Sequence, residues 1–164
     1  ESPQLGVRVF NEISAAMSGI TGVSMNNPGV MATYQLVEQQ LPSVPDVESF
    51  VASNQVGVAQ LAIQYCDALV ESAGASSYFP GLNFAAPPAA AFANTALLID
   101  PLLAQGVGTG IATQPDDIFV RAELNSLVTQ LQSCGASCAD AVRTKTIAKA
   151  ACAAVIGSGA LLLK

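Results

Sequence analysis

Apolar side chains recur at intervals of three and four residues along most of the chain, which is the spacing of one face of an α-helix. The first run consists of Leu5, Val7, Phe10, Ile13, Met17 and Ile20. It predicts a helix over residues 5–18, which ends at Gly19 and Gly22 because glycine destabilises a continuing helix. We expect this helix to place its apolar face against a core.

A second helix is predicted from the residues that mark its two ends. Asn27 followed by Pro28 is typical of a helix start, and apolar residues continue at helical spacing to Leu41. Pro42 and Pro45 follow, and the second helix is expected to end before them because proline lacks the backbone donor that a helix interior needs.

The longest predicted helix spans residues 47–73, with Asp46 as its N-cap and Gly74 as its stop. Its apolar side contains Val47, Val51, Val58, Ala62, Tyr65, Cys66 and Leu69. Gly57 lies inside this helix, where glycine costs about 1 kcal/mol relative to alanine. We therefore expect another backbone segment to pass close to Gly57.

Residues 75–94 read as a loop that is rich in aromatic side chains. The loop carries Tyr78, Phe79, Phe84 and Phe92. A loop of this length inside a compact domain is usually functional or packed by its own side chains. Two interpretations follow: the rings form a contact surface, or they fill a gap over the helical core.

Three more helical segments are predicted in the second half of the chain. The first covers residues 94–105 and is expected to bend or restart at Asp100 and Pro101. The second covers residues 115–133 and begins with acidic residues, which suit the positive end of a helix. The last covers residues 139–156, continues towards Leu163 and becomes increasingly apolar.

These patterns together predict one all-α domain over residues 1–164, a compact bundle of about five to six helices. Aromatic residues make up only 5% of the chain and tryptophan is absent. Such a composition favours closely packed small helices over a sheet, which is usually rich in aromatic and β-branched pairs.

Charged residues are scarce, at 11% of the chain against about 25% in an average soluble protein. The few basic residues include one close group, Arg143, Lys145 and Lys149, which we interpret as a solvated helix face rather than an anion site. Nucleic acid binding is not expected without a basic stripe. A membrane span is not expected either, because the apolar tail is short and interrupted by Gly157 and Gly159.

Four cysteines, Cys66, Cys134, Cys138 and Cys152, allow three pairings. Disulfides are favoured, with free buried thiols and a zinc site as alternatives, although zinc ligands usually come as two short pairs. The favoured pairing closes a small ring at a turn with Cys134 and Cys138, and joins the central helix to the terminal one with Cys66 and Cys152. Disulfides indicate export; a start at Glu1 without an apolar signal region fits a mature product or an excised domain.

The chain lacks the usual residues of hydrolytic and cofactor-binding sites. It contains no histidine, the usual base beside a serine or cysteine nucleophile. Residues 157–159 lack the full G-x-S-x-G pattern, and the glycines of residues 106–110 are followed by no lysine, unlike a phosphate loop. Calcium-loop and haem-attachment patterns are also absent from the sequence.

Two acid pairs are the remaining candidates for catalysis. Asp67 with Glu71 and Asp116 with Asp117 are close in sequence and resemble in type the paired carboxylates of glycosidases. A solvated helix face and an N-cap explain the two pairs more simply. We therefore expect no enzymatic activity, no cofactor and no metal.

Four stretches combine small apolar residues with cysteine markers in a distinctive order: residues 12–23, 32–42, 58–66 and 149–157. They resemble the C-terminal helical region of large secreted proteins of marine gammaproteobacteria that also carry laminin-G-like β-sandwich domains. The resemblance spans nearly the whole chain. It implies an exported bacterial protein in an extracellular or cell-surface setting, and it supplies no catalytic residues.

The favoured function is a non-enzymatic extracellular structural or assembly module. It would associate through an uncharged surface with copies of itself, as a homo-oligomer or filament, or with neighbouring domains of a larger secreted protein. Its candidate contact residues are Tyr78, Phe79, Phe84, Phe92, Gly157 and Gly159. The two glycines would permit close helix contact inside the domain or between subunits. The alternative is a small binding module with an apolar pocket, closed by residues 78–92, for a lipid-like or aromatic ligand.

Overall fold

A computed structural model of the chain describes residues 6–107 and 114–163. These residues form nine α-helices: α1 Phe10–Thr21, α2 Pro28–Val37, α3 Ala52–Glu71, α4 Ala75–Tyr78, α5 Pro88–Ala91, α6 Ala96–Gly106, α7 Asp117–Gln132, α8 Ala141–Ile156 and α9 Gly159–Leu162. Three short 3-10 helices accompany them, at Glu38–Gln40, Val47–Ser49 and Gly135–Cys138. The described residues contain no strand beyond one isolated bridge between Val7 and Leu163.

The all-α prediction is confirmed, and six of the nine helices have ten or more residues. The other three, α4, α5 and α9, have four residues each. Short helices of this kind carry too little periodicity to be recognised in a sequence. The predicted loop over residues 75–94 therefore contains α4 and α5.

The first helix differs from its predicted bounds at both ends. Its start is at Phe10, where a Glu12 carboxylate oxygen accepts the backbone N–H of Val9 at 2.9 Å. It continues through Gly19 to Thr21 and is terminated by Gly22, whose φ of 71° lies in the left-handed region. Glycine adopts that conformation without steric cost, and it therefore ends a helix more effectively than it interrupts one.

The long helix α3 begins five residues later than predicted. Asp46 is indeed a cap, but its carboxylate accepts the N–H of Glu48 and starts the 3-10 helix Val47–Ser49 instead. The expected close approach at Gly57 is confirmed. A Cβ placed there would lie 3.2 Å from the Cβ of Gln40 and 3.5 Å from its carbonyl carbon.

The core is arranged around α3, which packs against α1, α2 and α8. Tyr65 is fully buried in α3, and its hydroxyl donates to the carbonyl oxygen of Ser14 in α1 at 3.0 Å. The Ser14 hydroxyl lies 2.8 Å from the same tyrosine oxygen. These two buried hydroxyls are therefore paired with each other, and leaving one unpaired would cost about 1–3 kcal/mol.

Two disulfides connect the helices in the predicted pairing. Cys66 in α3 is joined to Cys152 in α8 with a Cα–Cα distance of 5.8 Å. Cys134 is joined to Cys138 between α7 and α8 at 5.4 Å. No cysteine among the described residues is left as a free thiol.

Helix α6 runs through Pro101 as one helix and does not restart there. No helix in the described ranges is both long enough and apolar enough to cross a membrane. The disulfides and this finding are compatible with an extracellular location.

Candidate contact surface

Two of the predicted contact residues lie inside the domain. Phe79 is fully buried and Phe92 nearly so. The ring of Phe79 lies 4.7 Å from that of Tyr78 and 5.8 Å from that of Phe84. Contacts of this geometry stabilise a core, and the rings of Phe79 and Phe92 fill the space over the helices rather than forming a free surface.

Tyr78 and Phe84 are only half-buried. The hydroxyl oxygen of Tyr78 is itself covered and forms no hydrogen bond with the described residues. Burial raises the pKa of Tyr78 to about 12. The side chain is therefore neutral at physiological pH and carries an unused donor and acceptor.

Gly157 and Gly159 have different surroundings. A Cβ on Gly157 would lie 2.8 Å from the Ala153 carbonyl oxygen and 3.3 Å from the Cβ of Ala62 in α3. Gly157 thus permits a close helix contact inside the domain. Gly159 is exposed, and a Cβ placed there would meet no atom within 4 Å.

The basic side chains of α8 form ion pairs with α3. Lys145 Nζ lies 2.7 Å from one carboxylate oxygen of Glu71, and Lys149 Nζ lies 2.7 Å from the other. Lys149 Nζ also lies 2.7 Å from Asp67. The lysine hydrogen bonds hold the pKa of Glu71 below its ordinary value. Burial by itself would lower the pKa of Lys149, but the hydrogen bonds to Asp67 and Glu71 have the larger combined effect and raise that pKa above its ordinary value.

The described arginines are also bound within the domain. Arg121 pairs with Asp100 and, at 3.8 Å, with Asp117. Arg143 donates to the Leu131 carbonyl oxygen at 2.7 Å, and Arg8 donates to the Leu161 carbonyl oxygen at 2.9 Å. The basic side chains in the described part of the chain therefore all have partners inside the domain.

The acidic side chains of both candidate pairs have structural partners. A catalytic acid needs a raised pKa, whereas the pKa of Glu71 is lowered by its lysine partners. Asp116 is the N-cap of α7 and accepts the N–H of Ile118 at 3.0 Å. Within the described ranges, no group of three or more Cys, Asp or Glu side chains is placed to hold a metal ion.

The most exposed aromatic side chain among the described residues lies at the start of α7. Phe119 is 71% exposed and its neighbour Ile118 is 69% exposed. Phe119 also borders an apolar groove of about 470 Å³ between α7 and α8, which we name the α7–α8 groove. Its walls include Val120, Leu124, Leu127, Ala154 and Val155, and Glu123 is its one charged lining residue among those described.

Sequence reasoning did not single out Phe119. The apolar pattern of α7 runs through residues 118, 120, 124, 127, 128 and 131. Phe119 falls between these positions. An aromatic side chain off the apolar face of an amphipathic helix was the available signal, because such a side chain turns away from the core unless another element covers it.

A second concavity, of about 720 Å³, lies where the turn between α1 and α2 meets the turn between α3 and α4. We name it the polar groove. Its hydrogen-bonding side chains include Thr21, Ser24, Asn26, Ser72, Ser77 and Tyr78. None of its lining residues in the described chain is charged.

Comparisons of this chain with protein-family models, with curated proteins and with solved structures find no match. The resemblance to the helical region of laminin-G-like-domain proteins therefore stays a prediction, and so does the bacterial cell-surface location.

Proposed function

We propose that this domain is a non-enzymatic extracellular assembly module that associates with further copies of itself through the α7–α8 groove. The observation that carries the proposal is the exposure of Phe119 and Ile118 beside that groove. Burying apolar surface in a contact stabilises the association by about 25 cal/mol for each Å² removed from water. Exposed apolar groups next to an apolar concavity are typical of protein contact sites.

A second copy is favoured as the partner because one face supplies both a protruding ring and an apolar groove. Phe119 is exposed and also lines the groove. Two copies related by a twofold axis could each place this side chain against the groove of the other. Such a contact is isologous, the commonest arrangement among soluble oligomers.

The charge distribution supports an apolar protein partner over a polyanion. Each described basic side chain is bound to an acidic side chain or a backbone carbonyl of the same domain. The chain also carries a net charge of −6. A nucleic acid or an acidic polysaccharide would therefore be repelled rather than attracted.

Size-exclusion chromatography with light scattering, over a series of concentrations, tests this proposal. The unmodified chain is expected to form a dimer or larger assembly, and Phe119→Asp is expected to be monomeric. Val142→Asp is a matched control, because Val142 is 70% exposed and also lies in the first turn of a helix, away from the groove. A monomeric parent chain, or a Phe119→Asp variant that assembles normally, would contradict the proposal.

A second candidate function is binding of a lipid-like or aromatic ligand in the same groove. Its volume of about 470 Å³ falls in the range of small-molecule pockets, roughly 300–1,000 Å³. Native mass spectrometry of the protein purified from its source distinguishes the two. A bound small molecule on a monomer would favour this candidate, whereas an unliganded dimer favours assembly.

A further inference from the structure

The polar groove shares no lining residue with the α7–α8 groove and has a different chemical character. Hydroxyl and amide side chains line it on both sides. The side chains of Asn26, Ser77 and Gln105 are exposed and form no hydrogen bond within the described residues. Their donors and acceptors are therefore free to meet a ligand.

Tyr78 is the most unusual group in this groove. Its side chain lines the groove, yet its hydroxyl oxygen is covered and unpaired within the described residues. The other buried tyrosine hydroxyl, that of Tyr65, is fully paired with Ser14. An unpaired buried hydroxyl destabilises a fold, and a ligand that supplies the missing hydrogen bond would recover that loss.

The lining determines which class of ligand fits. Without a charged residue in the described lining, the groove offers no counter-ion for an anion or a cation. A ligand with many hydroxyl groups can both donate to and accept from serine, asparagine and tyrosine side chains. The half-buried side chains of Ile20 and Ala68 add apolar surface against which the C–H face of a sugar ring can pack.

A peptide fits this groove less well. An extended peptide usually pairs with an exposed strand edge, and the described residues contain no sheet. An amphipathic helix needs an apolar groove, whereas this one carries eight hydrogen-bonding side chains among those described. The chemistry of the walls favours a saccharide.

We propose that the polar groove binds a segment of an uncharged oligosaccharide, which displaces the atoms covering Tyr78 and takes a hydrogen bond from its hydroxyl. Asn26 and Ser77 hold the ligand from opposite walls. This site is independent of the α7–α8 groove, and a monomeric protein would retain it.

The test is an NMR titration of the isotope-labelled full chain. Maltohexaose and chitohexaose serve as neutral probes, oligogalacturonate as the charged probe, and an uncharged glycine-serine peptide as the peptide probe. A neutral saccharide is expected to shift the amide signals of residues 20–27 and 72–78, with the other probes inactive. No response to either neutral saccharide, or a response to the peptide alone, would overturn the proposal.

Two variants separate a binding role from a structural one. Tyr78→Phe is expected to weaken saccharide binding roughly fivefold, the factor that one hydrogen bond supplies, while the unliganded melting temperature stays equal or rises. Asn26→Ala should weaken binding without changing the core. Tyr34→Phe, a half-buried tyrosine outside the groove, is the control. Unchanged affinity in both groove variants would refute the site.

Discussion

The α3–α8 interface and the α7–α8 junction are both closed by a disulfide, but the two regions differ in burial and in reach. Cys66 and Cys152 are fully buried and lie 86 positions apart in the sequence. Cys134 and Cys138 are half-buried and lie four positions apart, with Gly135 exposed between them. One link therefore joins distant parts of the core, and the other shapes a local turn.

The two disulfides also differ in the non-covalent contacts that surround them. At the α3–α8 interface, ion pairs from Lys145 and Lys149 and the close contact at Gly157 reinforce the disulfide. At the α7–α8 junction, the Arg143 guanidinium and the Cys138 sulfur both contact carbonyl oxygens at the end of α7. Variants that remove a disulfide, a close contact or an ion pair from one region test this contrast through the change in the free energy of unfolding.

The largest effect is expected from replacing Cys66 and Cys152 together by alanine. Loop closure over 86 positions accounts for about 4–5 kcal/mol of stability in the chain-entropy model. Urea unfolding, followed by circular dichroism, measures the change in the free energy of unfolding. If this double variant lost less free energy of unfolding than the variant without Cys134 and Cys138, native packing rather than chain entropy would determine what each disulfide contributes.

Replacing Cys134 and Cys138 together by alanine is expected to cost about 2 kcal/mol, because the closed loop is short. Hydrogen exchange should increase in residues 131–143, at the end of α7 and the start of α8, while α3 keeps its protection. If exchange rises equally in α3, the two regions are not independent and the comparison fails.

Gly157→Ala is expected to lower the free energy of unfolding by about 1–2 kcal/mol, since a single added methyl overpacks a close contact. The added carbon would stand 2.8 Å from the Ala153 carbonyl oxygen. Gly159→Ala is the matched control, with nothing within 4 Å of the added carbon. Thermal melting of both variants checks the prediction, which equal melting temperatures would refute.

The smallest effect is expected from the ion pairs of Glu71. Its pKa in the folded state lies below the ordinary value of 4.5, so its contribution is complete above that value and is lost as pH falls through the folded pKa. Glu71→Gln should cost less than about 1 kcal/mol at neutral pH, because the pair is partly exposed.

Urea unfolding between about pH 6 and pH 3 tests the sign of this linkage. The Glu71→Gln variant should lose less stability on acidification than the parent chain. Glu48→Gln, on the exposed 3-10 helix Val47–Ser49, serves as the control and should follow the parent. If Glu71→Gln lost as much stability on acidification as the parent chain, the lysine pairs would add nothing to stability.

Local patterns predicted the helices because helical periodicity is a short-range regularity, and the short spacing of Cys134 and Cys138 suggested one cysteine pair and left Cys66 and Cys152 for the other. The spacing of apolar residues identified α1, α2, α3, α7 and α8, and glycine and proline marked their approximate ends. The observed helix ends differ from the predicted ones where a tertiary contact or a special backbone conformation determines them, as at Gly22 with its positive φ. The four-residue helices carried no such signal.

The candidate site was predicted less well than the fold. Phe79 and Phe92 were expected either to form a surface or to fill the core, and only packing could decide that they are buried. Phe119 was missed, because the sequence does not tell whether another element covers a given side chain. The polar groove brings together residues from two turns about fifty positions apart, a distance that no local pattern spans.

By itself, the sequence determined that this protein is an all-α domain with few charges and an even set of cysteines. The tertiary structure decided how those features are used. It placed the basic groups of the described residues in internal pairs, turned Phe79 and Phe92 inwards and left Phe119 exposed. The physical reason is that helical periodicity depends on neighbours along the chain, whereas burial depends on which elements pack together in space.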